Sequence, residues 1–138
     1  MFQVGEIVRI FAPIAGKNKY HLCIAIGSDD VASQFIYLNS NPNYAGSFSV
    51  PCARVPCIDP SETGVTAFSF SMLPRYSNAQ LKTYRAAKVG DLDPNLAEEI
   101  LKFVQSDLKT LTRTELSIVV VGLTAIAASG GSKATADT

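Results

Sequence analysis

The sequence predicts an α+β fold, a small antiparallel β-barrel followed by C-terminal helices. Short segments rich in β-branched and aromatic residues recur every eight to twelve residues over the first two-thirds of the chain. After Gly90 the apolar spacing lengthens to about 3.6 residues, which is typical of amphipathic helices. The length of 138 residues fits one domain, and 47% hydrophobic with 17% charged residues excludes disorder over the whole chain.

The predicted strands are bounded by turn residues. They cover residues 4–11, 20–26, 35–38, 48–52, 54–58, 65–72 and 80–89. A polar turn over residues 16–19 separates the first two. Pro51 and Pro56 cannot donate hydrogen bonds to a neighbouring strand, so the two segments that contain them belong at an edge or a bulge.

Two helices are predicted after the strands. Asp93 is a suitable N-cap before Pro94, and the apolar spacing that follows predicts a helix over residues 94–108. The pattern from Thr112 to Glu115 is a capping box, which predicts a second helix that ends near Ala128. We therefore expect one domain over residues 1–128 and a flexible polar tail over residues 129–138.

Composition limits the classes of function. Lys plus Arg and Asp plus Glu both number 12, so the chain lacks the net positive charge typical of duplex-DNA binders. The odd number of cysteines, three, and a start without a secretory signal favour a reducing cytoplasm. The most apolar stretch, residues 118–128, is too short for a membrane span of about 20 residues, so we expect no membrane association.

Two cysteine-based sites can be considered, and neither is favoured. His21 and Cys23 share one strand face, and Cys52 and Cys57 could complete a zinc site, but their spacing does not form a knuckle. A Cys23–His21 nucleophile is unfavourable because the two side chains are too close along the strand. The cysteine spacing gives no expectation of a bound metal. No phosphate-binding loop is matched by Gly122, Gly130 and Gly131, so we expect no nucleotide cofactor either.

A stronger hypothesis is a site that binds RNA phosphates. Lys17, Lys19 and His21 converge on the start of the second predicted strand. A second basic group is interleaved with tyrosines and comprises Arg75, Tyr76, Lys82, Tyr84 and Arg85. Lysine and arginine beside exposed tyrosines can bind single-stranded nucleic acid through phosphate contacts and base stacking. The alternative is that these residues form only the solvated faces of strands.

The order of short motifs resembles that of the MazF/PemK toxin family. The motifs are Gly-Glu-Ile-Val at residues 5–8, the segments 19–26 and 35–40, and Val-Gly-Asp-Leu at residues 89–92 before a capped helix. The resemblance implies an SH3-like barrel that cleaves RNA and is bound by an antitoxin protein. By position, Lys19 or His21 would be the basic catalytic residue, and Ser40 or Ser71 the catalytic hydroxyl.

Two functions follow from these observations. The first is a toxin-like, metal-independent endoribonuclease that cleaves single-stranded RNA, in which His21 moves a proton and Lys19 stabilises negative charge. It predicts that Lys19, His21 and a hydroxyl share one exposed groove. The second is a catalytically inactive barrel that binds a protein partner, which is favoured if His21 is buried and hydrogen-bonded.

The second helix predicts a homodimer or a docked partner. Its apolar residues cover more than one helical face. They are Ile118, Val119, Val120, Val121, Leu123 and Ile126. An exposed patch of this kind is unusual for a soluble monomer. The alternative is that both faces are buried within one chain, between the sheet and the preceding helix.

Overall fold

Seven antiparallel strands form one sheet with helices on both faces. The computed structural model describes residues 2–13, 16–43, 45–106 and 108–136, and for residues 130–136 the backbone alone. The strands are β1 (Glu6–Ala12), β2 (Lys17–Ala25), β3 (Ser33–Asn39), β4 (Ser47–Pro51), β5 (Val65–Ser69), β6 (Arg75–Tyr76) and β7 (Ala87–Asp91). The helices are α1 (Asn78–Thr83), α2 (Pro94–Ser106) and α3 (Arg113–Ala136). The predicted α+β class is confirmed.

The sheet is open, so the prediction of a closed barrel is wrong. The strand order is β4-β5-β3-β2-β1-β7, with β6 paired to β3, and no ladder joins β4 to β7 in the described residues. The predicted strand over residues 54–58 does not form; the short 3-10 helix Cys52–Arg54 and a bend replace it. Pro56 lies in this segment and has no N–H to offer a ladder, which explains why no strand closes the sheet there.

Other predicted boundaries also differ from the structure. Residues 80–89 are not one strand, because a capping box between Ser77 and Gln80 starts α1 and the strand β7 follows it. Residues 17–19 belong to β2 rather than to a turn. α3 continues past Ala128, so residues 129–136 of the predicted tail are helical, and residues 137 and 138 lie outside the described residues.

The main core lies between one face of the sheet and the two C-terminal helices. Leu22 and Ile24 of β2 are buried there. The alternation of residues 22, 24 and 26 in the sequence predicts that Ile26 shares their face. Ile26 is instead 53% exposed, because the pairing of β2 with β3 shifts register between Cys23 and Ala25 and β2 ends at Ala25. The capping box predicted from Thr112 to Glu115 is confirmed, with both reciprocal hydrogen bonds formed at 3.0 and 3.2 Å.

Helix α3 buries one of its apolar faces within the chain. Val119, Leu123 and Ile126 are buried in the main core, where α3 packs on α2 and β2. Ile118 and Val120 are partly buried, and Val121 is 68% exposed. Among the described residues, no helix is both long enough and apolar enough to cross a membrane.

A second, smaller core covers the opposite face of the sheet. It consists of buried residues from β1, β2, β3 and α1: Val8, Ile10, Cys23, Phe35 and Leu81. Tyr76 and Tyr84 pack against this cluster. Side chains along a strand alternate between the two faces of the sheet. The strands that form this core therefore also carry polar side chains on the same face, and these lie next to one another.

Candidate functional site

An open groove of about 600 Å³ lies on the face of the sheet that carries the smaller core. Its lining residues come from β1, β2, β3, β5 and β6, from the residues just after β1 and β5, and from the end of α1. They are Ala12, Pro13, Lys19, Tyr37, Asn39, Ser69, Ser71, Met72, Tyr76 and Tyr84. We call this site the tyrosine groove. Lys19 is the charged residue in this lining.

Strand register gathers the polar residues of the groove. Phe35, Tyr37 and Asn39 alternate along β3 with residues of the main core, so their side chains share one face. Tyr37 is the cross-strand partner of His21 on one side and of Ser69 on the other. The three strands therefore present a row of polar side chains that no single segment of the sequence contains.

His21 is fully buried behind the groove. Its Nδ1 lies 3.1 Å from the Lys19 carbonyl oxygen, and its Nε2 lies 3.2 Å from the Tyr76 hydroxyl. The rings of Phe35, Tyr37 and Tyr76 surround it, with centroids 5.9, 4.8 and 5.4 Å away. Burial lowers the pKa of His21 to about 4, so the imidazole is neutral at pH 7.

The Tyr76 hydroxyl is also held in its protonated form. Burial, followed by the neighbouring Tyr37 hydroxyl, raises the pKa of Tyr76 well above its usual value. Tyr76 also packs edge-on against Tyr84, with ring centroids 6.2 Å apart. The three tyrosines therefore offer the groove aromatic rings, and Tyr76 adds a neutral hydroxyl.

Two serines provide further hydroxyls. Ser69 is buried, Ser71 is exposed, and their Oγ atoms lie 3.2 Å apart. Both line the groove with Lys19. Ammonium and hydroxyl groups are the donors that bind phosphate oxygens in proteins.

A second, smaller cleft adjoins the groove. It has a volume of about 220 Å³, shares Lys19 with the groove, and contains Lys17 and Ser40. The Ser40 carbonyl oxygen accepts a hydrogen bond from Thr63 Oγ1. Of the two predicted serines, Ser71 therefore lies in the groove and Ser40 in the small cleft.

The second predicted basic group is divided in the structure, because its tyrosines line the groove and its three basic residues do not. Tyr76 and Tyr84 do line it, as described above. Arg75 is exposed on β6, and Lys82 lines a separate depression beside Phe2. Arg85 is exposed in the turn after α1, where its φ of 54° lies in the left-handed region.

Sequence reasoning missed three polar residues of the groove: Tyr37, Asn39 and Ser69. The alternation of residues 67–72 places Ser69 on the same face as Ser71, which was a usable signal. The same alternation wrongly places Met72 with Phe68 and Phe70 in the core. Met72 is 56% exposed at the rim of the groove, because β5 ends at Ser69.

The cysteines occupy different environments. Cys23 is buried in the smaller core, and burial raises its pKa to about 11. Cys52 accepts a hydrogen bond from the Ser61 N–H at 3.5 Å, and Ser61 Oγ lies equally close, so its pKa is lowered. Within the described residues, no three His, Cys, Asp or Glu side chains are grouped as metal ligands.

Comparison with known proteins gives no relative from which a function could be transferred. No family model, no curated protein and no solved structure matches the chain. The resemblance to the MazF/PemK family therefore stays a prediction that depends on the short sequence motifs alone.

Proposed function

We propose that this protein binds single-stranded RNA in the tyrosine groove and cleaves it as a toxin-like endoribonuclease that needs no metal ion. The observation that carries the proposal is the grouping of Lys19, Ser71 and three tyrosines in one open groove. Two of these tyrosines, Tyr76 and Tyr84, and both Lys19 and Ser71 are residues that the sequence motifs single out.

Binding follows from the chemistry of the lining. Tyrosine rings stack on bases of any sequence, and each stacked base contributes about 1–3 kcal/mol. Lys19 neutralises one phosphate, which suits a chain whose net charge is zero and whose attraction for RNA must be local. The volume of about 600 Å³ lies within the usual range for sites that enclose small organic groups.

Cleavage in this groove would depend mainly on electrostatic stabilisation. The RNA 2′-hydroxyl loses its proton to water and attacks the adjacent phosphorus, which forms a 2′,3′-cyclic phosphate. The bond from phosphorus to the 5′-oxygen of the next nucleotide breaks, and that oxygen takes a proton from water. Lys19 and the Ser71 hydroxyl would stabilise the negative charge that develops on the phosphate oxygens. His21 is separated from the groove by Tyr76, so it is not positioned to exchange a proton directly with the RNA.

The position of His21 favours a second candidate function, a groove that binds a protein partner without cleaving RNA. A general base works best when its pKa lies near the working pH, whereas that of His21 is about 4. The rim residues Ala12, Pro13 and Met72 add apolar surface that an extended peptide could cover.

One set of measurements separates these functions. The purified chain is mixed with fluorescently labelled single-stranded RNA in the presence of EDTA, and binding is followed by anisotropy and cleavage by gel electrophoresis. We expect the chain to bind and to cleave the RNA. We expect Lys19→Ala to weaken binding and cleavage. It should also reduce the slope of log K against log salt by about 0.7, the value for one phosphate contact. Lys102→Ala, which removes an exposed charge from α2, is the matched control and should change neither.

The outcomes differ for each candidate. Intact RNA together with Lys19-dependent binding would overturn the cleavage part of the proposal. Intact RNA without any binding would overturn it entirely and would favour the protein-binding groove. Expression of the active chain should also slow growth of the host cells, and expression of Lys19→Ala should do so less.

A further inference from the structure

We infer that Tyr76 is a specificity-determining residue, which presents a hydrogen-bond acceptor to the groove and so favours adenine and cytosine, whose amino group lies where guanine and uracil carry a carbonyl oxygen. The inference depends on the proposed function, because it concerns RNA bound in the tyrosine groove. The evidence for this inference is the pair of hydrogen bonds made by His21, a buried residue that the cleavage scheme does not use.

The first step is the tautomer of His21. A carbonyl oxygen can only accept a hydrogen bond, so the contact of 3.1 Å between Nδ1 and the Lys19 carbonyl oxygen requires the proton to be on Nδ1. The ring is fully buried and neutral, so it carries a single N–H. Nε2 is therefore unprotonated and can only accept.

The second step is the direction of the Tyr76 hydroxyl. Its oxygen lies 3.2 Å from Nε2 of His21, so Tyr76 donates its proton to that nitrogen. A hydroxyl has one proton and two acceptor lone pairs. Because its proton is engaged with His21, the neighbouring Tyr37 hydroxyl can only donate to one of these lone pairs, and Tyr76 offers a ligand in the groove its second lone pair, an acceptor. His21 is thus a positioning residue for Tyr76.

The third step is the matching base. Adenine and cytosine present an amino group, a donor, at the position where uracil and guanine present a carbonyl oxygen, an acceptor. An amino group can donate to Tyr76, whereas a carbonyl oxygen facing Tyr76 would place two acceptors against each other. The groove should therefore prefer adenine or cytosine at the position next to Tyr76.

The test compares two RNA oligonucleotides that differ only in whether their purine bases carry the 6-amino group. One contains adenosine, and the other contains purine riboside, the same ring system without the amino group. We expect the adenosine oligonucleotide to bind about threefold to tenfold more tightly, as for one neutral hydrogen bond. Tyr76→Phe keeps the ring but removes the acceptor, so it should bring the ratio of the two affinities close to one.

Two further variants test the positioning role. His21→Leu frees the Tyr76 proton and should also lower the affinity ratio. Tyr20→Phe removes a hydroxyl from the opposite face of β2 and should leave the ratio as in the wild type. If His21→Leu does not fold, the comparison of wild type with Tyr76→Phe still decides the inference.

Each result has a distinct meaning. Equal affinities in the wild type, or a ratio that survives Tyr76→Phe, would overturn this inference and leave RNA binding in place. Failure of both oligonucleotides to bind would overturn the inference together with the proposed function.

Discussion

Gly122 of α3 lies against the backbone of β2 at Ile24. A β-carbon at position 122 would lie 2.4 Å from the Ile24 carbonyl oxygen and 2.7 Å from its side chain. No side chain larger than hydrogen fits between the helix and the strand at this point, so Gly122 sets the distance between α3 and the sheet.

We predict that Gly122→Ala destabilises the fold although alanine favours helices. The new methyl group must push α3 away from β2, at a cost of about 1–3 kcal/mol, typical of overpacking. Denaturant unfolding measures the change. Thr124→Ala, on the exposed side of the same helix, is the control and should stay within about 0.5 kcal/mol of the wild type. Equal stability of Gly122→Ala and the wild type would contradict the close packing.

His21 should make stability depend on pH. Its pKa is about 4 in the folded chain and near 6.5 when exposed, so between these values the unfolded chain binds more protons. The free energy of unfolding should therefore fall as the pH drops from 6.5 towards 4, by up to about 3 kcal/mol. Urea unfolding at pH 7 and pH 5 measures this fall. His21→Gln removes the titrating group, and a variant with the same pH dependence as the wild type would contradict the assignment.

The cysteines should differ in reactivity. The thiolate is the nucleophile, and hydrogen bonds from Ser61 lower the pKa of Cys52. Burial raises the pKa of Cys57 and of Cys23. We predict that iodoacetamide labels Cys52 first at neutral pH, as followed by mass spectrometry, and that Ser61→Ala slows this labelling. Faster labelling of Cys23 than of Cys52 would show that the described packing is incorrect.

The homodimer predicted from the sequence would use the part of α3 that remains uncovered. Ile118, Val121 and Ala125 line a shallow apolar depression of about 300 Å³ beside β2. We expect light scattering to give twice the chain mass of 14.7 kDa, and Val121→Lys to give the single mass because it places a charge in the apolar contact. A monomeric wild-type chain at high concentration would argue against this interface.

The C-terminal helices were the most predictable part of the fold. Local signals define them, namely the Asp93-Pro94 start, the Thr112–Glu115 capping box and the apolar spacing. α1 was missed although Ser77 and Gln80 form a capping box, because its six residues are too few to show a helical period. The absence of barrel closure could not be predicted, since it depends on which distant strands pair.

The site was predictable only in part, for the same reason. Lys19 and Ser71 could be selected because basic and hydroxyl residues are recognisable by type. Their partners Tyr37 and Asn39 reach the groove through the pairing of β3 with β5, which links residues about 30 positions apart. The burial of His21 depends on rings from three separate segments, so its single occurrence in the sequence could not reveal whether it is exposed.

The floor of the tyrosine groove is the sheet itself. Lys19, Tyr37 and Ser69 belong to β2, β3 and β5, three strands that are neighbours in the hydrogen-bonded order. The rim is built differently, because Met72 follows the end of β5 and Tyr84 ends α1. Widening the floor would break the hydrogen bonds between these strands. On the rim, the Tyr84 carbonyl oxygen accepts a hydrogen bond of 3.0 Å from the Phe11 N–H, whereas Met72 lies beyond the last ladder of β5. Amide hydrogen exchange should therefore be slow in the floor with or without a ligand, and binding should newly protect the segment around Met72.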